Sequence, residues 1–137
     1  MNIFRYIPLM GILLALYNLV SRRIGSSSTF SWDNDYLTMG LPTGAEVTLS
    51  YSEGFIALGL IVLFVEVVKS TSVSNFGIIE QILSVLVFVI FLVQFLNSKL
   101  AAEPTFFLLT IMSLIDVLAG FVIMTKVARR DISFGGG

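Results

Sequence analysis

The stretch PTFFLLTIMSLIDVLAGFVIMTKV, Pro104 to Val127, carries only two charges, Asp116 near its middle and Lys126 at its end. Its 24 residues exceed the ~20 apolar residues that carry a helix across the ~30 Å hydrocarbon core of a bilayer. A carboxylate at that depth costs a few kcal/mol or more unless it is paired, wetted or protonated. Asp116 is therefore the residue that most needs a physical account. Pro104 suits a first helical position, where its missing N–H would have no partner in any case.

Working outward, three further apolar runs read as helices: Phe76–Asn97, Tyr51–Lys69 and Phe4–Val20. Asn75 is a candidate cap for the first of these. Ser50 and Glu53 have the S-x-x-E spacing of a capping box before the second. Phe4–Val20 follows Arg5 and is closed by Ser21, Arg22 and Arg23, without a small-x-small cleavage pattern, so it reads as a retained membrane helix rather than a signal peptide. The first two runs of the chain are short for spans and need local thinning or polar anchors at their ends. The predicted architecture is a single all-α membrane domain over residues 1–137, with four antiparallel transmembrane helices at about 4–20, 51–69, 76–97 and 104–127.

Composition agrees with that class and excludes others. The chain is 56% hydrophobic and 12% charged, with a mean hydropathy of +0.96, where soluble domains carry about 25% charge. A net charge of −1 provides no basic surface for nucleic acid. With neither cysteine nor histidine, thiolate and imidazole metal sites, imidazole-ligated haem and histidine general-base catalysis are ruled out. No cofactor is expected.

Residues 21–50 form the only sizeable predicted loop. It opens on a flexible Gly25–Ser28 segment. Tyr36–Met39 and Glu46–Leu49 then alternate as strands around Gly40-Leu41-Pro42-Thr43-Gly44, which predicts a β-hairpin in the first extracytoplasmic loop. Trp32, Tyr36 and Tyr51 are expected at the outer interface, where amphipathic rings settle; a partner-binding surface is the competing role. Counting Lys and Arg on each side gives Arg5, Lys69, Lys126, Arg129 and Arg130 against Arg22, Arg23 and Lys99. The positive-inside rule then puts both termini, and a tail at 128–137, in the cytoplasm.

Thr110, Ser113, Asp116 and Gly120 recur at helical spacing and make one stripe, which should face the bundle interior. Gly11, Ala15 and Asn18 make a small-residue face on the first helix, and Gln81 and Ser84 add polar groups on the third. An intramembrane polar seam of Asn18, Gln81, Ser84, Thr110, Ser113 and Asp116 is predicted. Such contacts commonly fix helix register; the sharper alternative is a proton or ion path.

At the inner ends, Glu66, Lys69, Glu80, Lys126, Arg129 and Arg130 are expected to form a charge layer joining the helices. Counted from the inner helix ends, Glu66 and Asp116 lie about two turns apart in depth, too far for a paired-carboxylate site. Ser26–Ser28 has no adjacent base and reads as linker, and Gly135–Gly137 reads as a tail rather than a phosphate loop.

Gly59–Ser70 (GLIVLFVEVVKS), Pro104–Leu109 (PTFFLL), Ile115–Phe121 (IDVLAGF) and Ala128-Arg129-Arg130-Asp131 resemble segments of small four-helix bacterial inner-membrane proteins of uncharacterised function. The resemblance covers most of the second to fourth helices and leaves out the first helix and the hairpin. It implies a bacterial inner-membrane setting and carries no activity. The expected function is a non-enzymatic accessory or structural subunit of a larger membrane assembly, or a self-associating bundle, with the lipid bilayer and other membrane subunits or further copies as partners. The competing expectation is a small channel or proton-coupled carrier centred on Asp116.

Overall fold

A computed structural model describes residues 6–71 and 77–135, with side chains up to Arg130. The chain runs α1 (Leu9–Ser26), β1 (Asp35–Gly40), β2 (Glu46–Ser50), α2 (Tyr51–Ser70), α3 (Gly77–Asn97), a 3-10 turn (Lys99–Ala101) and α4 (Pro104–Gly135). Three of these helices, α2, α3 and α4, are long and apolar enough to cross a membrane. Arg5 and Asn75, used above for orientation and capping, lie outside the described residues, as do Gly136 and Gly137.

Two helix boundaries differ from expectation for identifiable reasons. The first helix begins after Pro8, whose φ of −67° and ψ of 120° are extended. Proline also disfavours helical geometry in the residue before it, so a helix from Phe4 through Pro8 would be broken. Beyond Val20 nothing stops the helix, and Ser21, Arg22 and Arg23 continue it to Ser26. Likewise α4 runs past Val127, because Ala128, Arg129 and Arg130 are strong helix formers. The expected tail at 128–137 is helical as far as Gly135.

The hairpin follows the expected pattern. Leu37 pairs with Leu49, Thr38 with Thr48, Met39 with Val47 and Gly40 with Glu46 in an antiparallel ladder. Leu41 N–H donates to Ala45 O at 2.8 Å and Gly44 N–H to Leu41 O at 2.9 Å. Gly44 adopts φ +82°, a conformation that glycine reaches without steric cost. The strand then feeds directly into α2, with Glu53 Oε2 accepting from Ser50 N–H at 2.9 Å. The carbonyls of Asn34 and Trp32 take the N–H groups of Tyr51 and Ser52, so the loop satisfies donors that a helix start leaves open.

Helix α4 is the central element. In its most apolar window 44% of residues are buried, against 17% in α2 and α3, and its main contacts are with those two helices. Gly59 lets α2 approach α4 closely: a Cβ there would stand 2.8 Å from Met112 Sδ and 2.9 Å from a Leu109 methyl. Helix α1 packs across α2 and, less extensively, α3.

Candidate functional site

Two different sites occupy the two ends of the bundle. At the hairpin end the core is aromatic. Tyr17 stacks on Trp32 with centroids 4.9 Å apart and planes 6° from parallel. Phe55 meets both rings edge-on, and Phe106 lies 4.9 Å from Tyr17 and 5.4 Å from Phe91. Tyr17 resolves its one polar atom by donating to Leu100 O at 3.2 Å. Trp32, expected at the interface, is instead 5% exposed; Tyr36 and Tyr51 remain at the surface, 5.3 Å apart. Glu103, just before α4, is pushed above the usual carboxylate range, first by partial burial and then by repulsion from Asp33.

At the other end lies a small polar cavity of about 30 Å³, lined by Glu66, Lys69, Glu80, Gln81, Ser84 and Asp116 among others. That is room for about two water molecules. Glu66 and Asp116 are each only 6% exposed. Ser84 lies beside Asp116, which feels the charges of Glu66 and Lys69, while Glu66 feels those of Lys69 and Glu80. Glu66 also accepts from Leu9 N–H, while Lys69 Nζ donates to Ile7 O at 3.3 Å. The start of α1 is thereby tied to α2. Gln81 Nε2 donates to Val117 O at 3.0 Å, and its carboxamide fills the space over Gly120, where a Cβ would collide with Gln81 Oε1.

Depth counted from the inner helix ends sets Glu66 and Asp116 two turns apart, yet they line one cavity. The reason is the overhang of α4. Both α2 and α4 start at the hairpin end, and Glu66 is fifteen residues beyond Tyr51 while Asp116 is twelve beyond Pro104. Measured from those starts they differ by only ~4.5 Å. The 32 residues of α4 against 20 in α2 carry its end ~18 Å further. The predicted charge layer divides accordingly. Glu66, Lys69 and Glu80 gather at the cavity, whereas Lys126, Arg129 and Arg130 are exposed on the projecting turns, and among the described residues they form no ion pair with Glu66 or Glu80.

The predicted polar seam is likewise split. Thr110, Ser113, Asp116 and Gly120 all lie on the buried face of α4. Thr110 Oγ1 donates to Phe106 O of its own helix at 2.9 Å, and Ser113 Oγ is buried without a partner among the described residues. Asn18 follows Tyr17 at the hairpin end, away from the cavity of Asp116, and donates to Gln94 Oε1 at 3.1 Å. Gly11 abuts Val87 and Asn18 reaches Gln94, but Ala15 is exposed, so the small-residue face of α1 meets α3 at its two ends and not at its middle. Gln94 was not singled out in the sequence, although an amide within the apolar Phe76–Asn97 run was the available signal. Among the described residues no group of three or more Asp and Glu could hold a metal ion.

No family model matches this chain, and neither a curated protein nor a solved structure does.

Proposed function

We propose that the chain is a four-span protein of the bacterial inner membrane, with both termini cytoplasmic, acting as a non-enzymatic accessory subunit of a larger membrane assembly or as a self-associating bundle. The observation that carries this reading is the aromatic cluster of Tyr17, Trp32, Phe55, Phe91 and Phe106. It fills the hairpin half of the bundle and is 9% exposed or less at every ring. A polar route through one chain would have to pass these rings. The chemistry available to the protein then lies on its outward faces, where α2 and α3 expose most of their apolar residues. Helix α1 supplies the fourth crossing in this reading. It reaches from the level of Glu66, where Leu9 is held, to that of Leu100, where Tyr17 is held.

A second reading, a proton-coupled carrier or small channel centred on Asp116, has one observation in its favour. Glu66 and Asp116 share a cavity large enough for water, so two acids rather than one could hold and pass a proton. Asp116→Asn separates the two readings, because the amide keeps the shape and a hydrogen-bond donor but cannot release a proton. On the accessory reading folding, oligomer size and co-purification of a stoichiometric membrane partner in mild detergent all survive the change. A pH-driven flux in liposomes that disappears in Asp116→Asn, with expression and oligomer size intact, would overturn the accessory reading.

A further inference from the structure

Where α1 ends and the chain turns back toward the hairpin, a groove of about 520 Å³ opens between the last turns of the helix and the loop that follows. Leu19, Val20, Ile24 and Phe30 make its apolar wall, and Arg23, Ser26 and Ser27 border it. Among the described residues no carboxylate lines it. The Arg23 side chain is exposed and has no ion-pair or hydrogen-bond partner among the described residues.

The depth of this groove can be read from contacts. Tyr17 packs on Phe55, four residues into α2, and on Phe106, two residues into α4, so it lies just inside the hairpin-side ends of those helices. Arg23 is six residues further along α1, ~9 Å outward. Leu19 and Val20 thus lie level with the helix ends, and Arg23 stands beyond them. In a spanning bundle that is the boundary between acyl chains and headgroups. The apolar wall also continues inward along the helix. Ile12, Leu16 and Leu19 form an exposed apolar stripe on α1 that leads from the hydrocarbon region to Arg23.

We propose that this groove binds one glycerophospholipid, its phosphodiester held by Arg23 and one acyl chain lying along Leu19, Val20, Ile24 and Phe30. The inference rests on the membrane-spanning reading and is independent of orientation and of the accessory role. Charge complementarity selects the occupant. A guanidinium without a protein partner among the described residues, bordering an apolar wall, matches a phosphate attached to a hydrocarbon chain; the Ser26 hydroxyl is already donated to Arg23 O. An apolar peptide would leave the Arg23 charge unanswered, and free phosphate would leave the apolar wall bare.

The test is native mass spectrometry of the full chain reconstituted in nanodiscs of phosphatidylglycerol, phosphatidylethanolamine or phosphatidylcholine and then released in mild detergent. One phospholipid per chain should remain bound to the wild type. Arg23→Gln should reduce the retained fraction on the order of tenfold or more, the scale of losing one charge-assisted hydrogen bond. Val20→Trp, which fills the groove, should do the same with Arg23 still present. Arg22→Gln should retain the lipid, because Arg22 does not line the groove, and millimolar inorganic phosphate should not displace it. Equal retention by wild type and Arg23→Gln, or equal loss in Arg22→Gln, would overturn the proposal. A protein that fractionates with membranes yet retains no lipid sinks this site alone, whereas one that fractionates as soluble sinks the membrane reading with it.

Discussion

Around Tyr17 the helices meet through aromatic rings, whereas around Asp116 they meet through carboxyl, amide and hydroxyl groups. The two regions differ in what must be satisfied. The aromatic end has few polar groups to place: the Tyr17 hydroxyl donates to Leu100 O, Ser21 Oγ is buried without a partner among the described residues, and most of the rest is shape. Offset and edge-on ring pairs there each add about 0.5–1.5 kcal/mol beyond burial. At the acidic end Glu66 and Asp116 are removed from solvent, and every lost hydration contact must be replaced by Leu9 N–H, Lys69, Ser84 or water. Removing a ring should therefore loosen the fold, while removing a carboxylate should change how the helices are tied and what the cavity can hold.

The largest effect is expected from Phe106, which is fully buried and touches the Tyr17, Phe91 and Phe95 rings. Phe106→Ala should cost about 3–5 kcal/mol, the range for losing a buried aromatic side chain and leaving a cavity. Equilibrium unfolding in mixed dodecyl sulfate and mild detergent measures it. A cost no larger than that of an exposed residue such as Phe64→Ala would mean that the aromatic cluster is not the structural centre of the hairpin end.

An intermediate effect is expected at Glu66, and it sharpens the contrast. Glu66→Leu leaves Leu9 N–H without its acceptor; a fully buried unsatisfied donor costs about 1–3 kcal/mol, and this half-buried one should fall near the lower end. Glu66→Gln keeps an acceptor oxygen and should recover most of that loss. Hydrogen exchange at the first turn of α1 reads the difference directly: faster in Glu66→Leu, near wild type in Glu66→Gln. If both variants exchange alike, the contact between Glu66 and α1 contributes nothing to anchoring the helix.

The elements most legible in the sequence were those set by local chemistry. The Ser50–Glu53 pairing, the Gly40–Gly44 turn and the strands either side of it depend on residues a few positions apart, and the structure places them as expected. The burial of Thr110, Ser113, Asp116 and Gly120 on one face of α4 follows from 3.6-residue periodicity alone. What could not be read was relative depth. The offset between Glu66 and Asp116 depends on which end of each helix is level with its neighbours, and the overhang of α4 is a property of packing rather than of either segment. The burial of Trp32 escaped for a similar reason. An indole in a polar loop fits a surface as well as a core, until Tyr17 and Phe55 are seen to form its pocket. Pro8, by contrast, was visible in the sequence as a barrier to a helix starting at Phe4.

The smallest effect is expected at Glu103, on the aromatic side, and it tests whether that end tolerates charge as poorly as its packing suggests. Partial burial raises the Glu103 carboxyl, and the nearby Asp33 raises it further. A folded-state value above the unfolded one means that the native state binds the proton more tightly. The stabilisation from protonation is therefore complete below the unfolded value, near 4.3 for glutamate, and is lost as pH rises through the folded value. At pH 7 the ionised carboxylate carries its full penalty. Glu103→Gln removes that penalty, so the variant should melt slightly above wild type at pH 7, and the gap should narrow as pH falls and close below the unfolded value, where the carboxyl is neutral in both states. The group is partly solvated and the shift should be small, so the pH dependence of the gap is the informative quantity. Asp33→Asn should produce part of the same gain through the second cause alone. A gap that stays constant from pH 4 to 7 would show that Glu103 acts through packing and not through its charge.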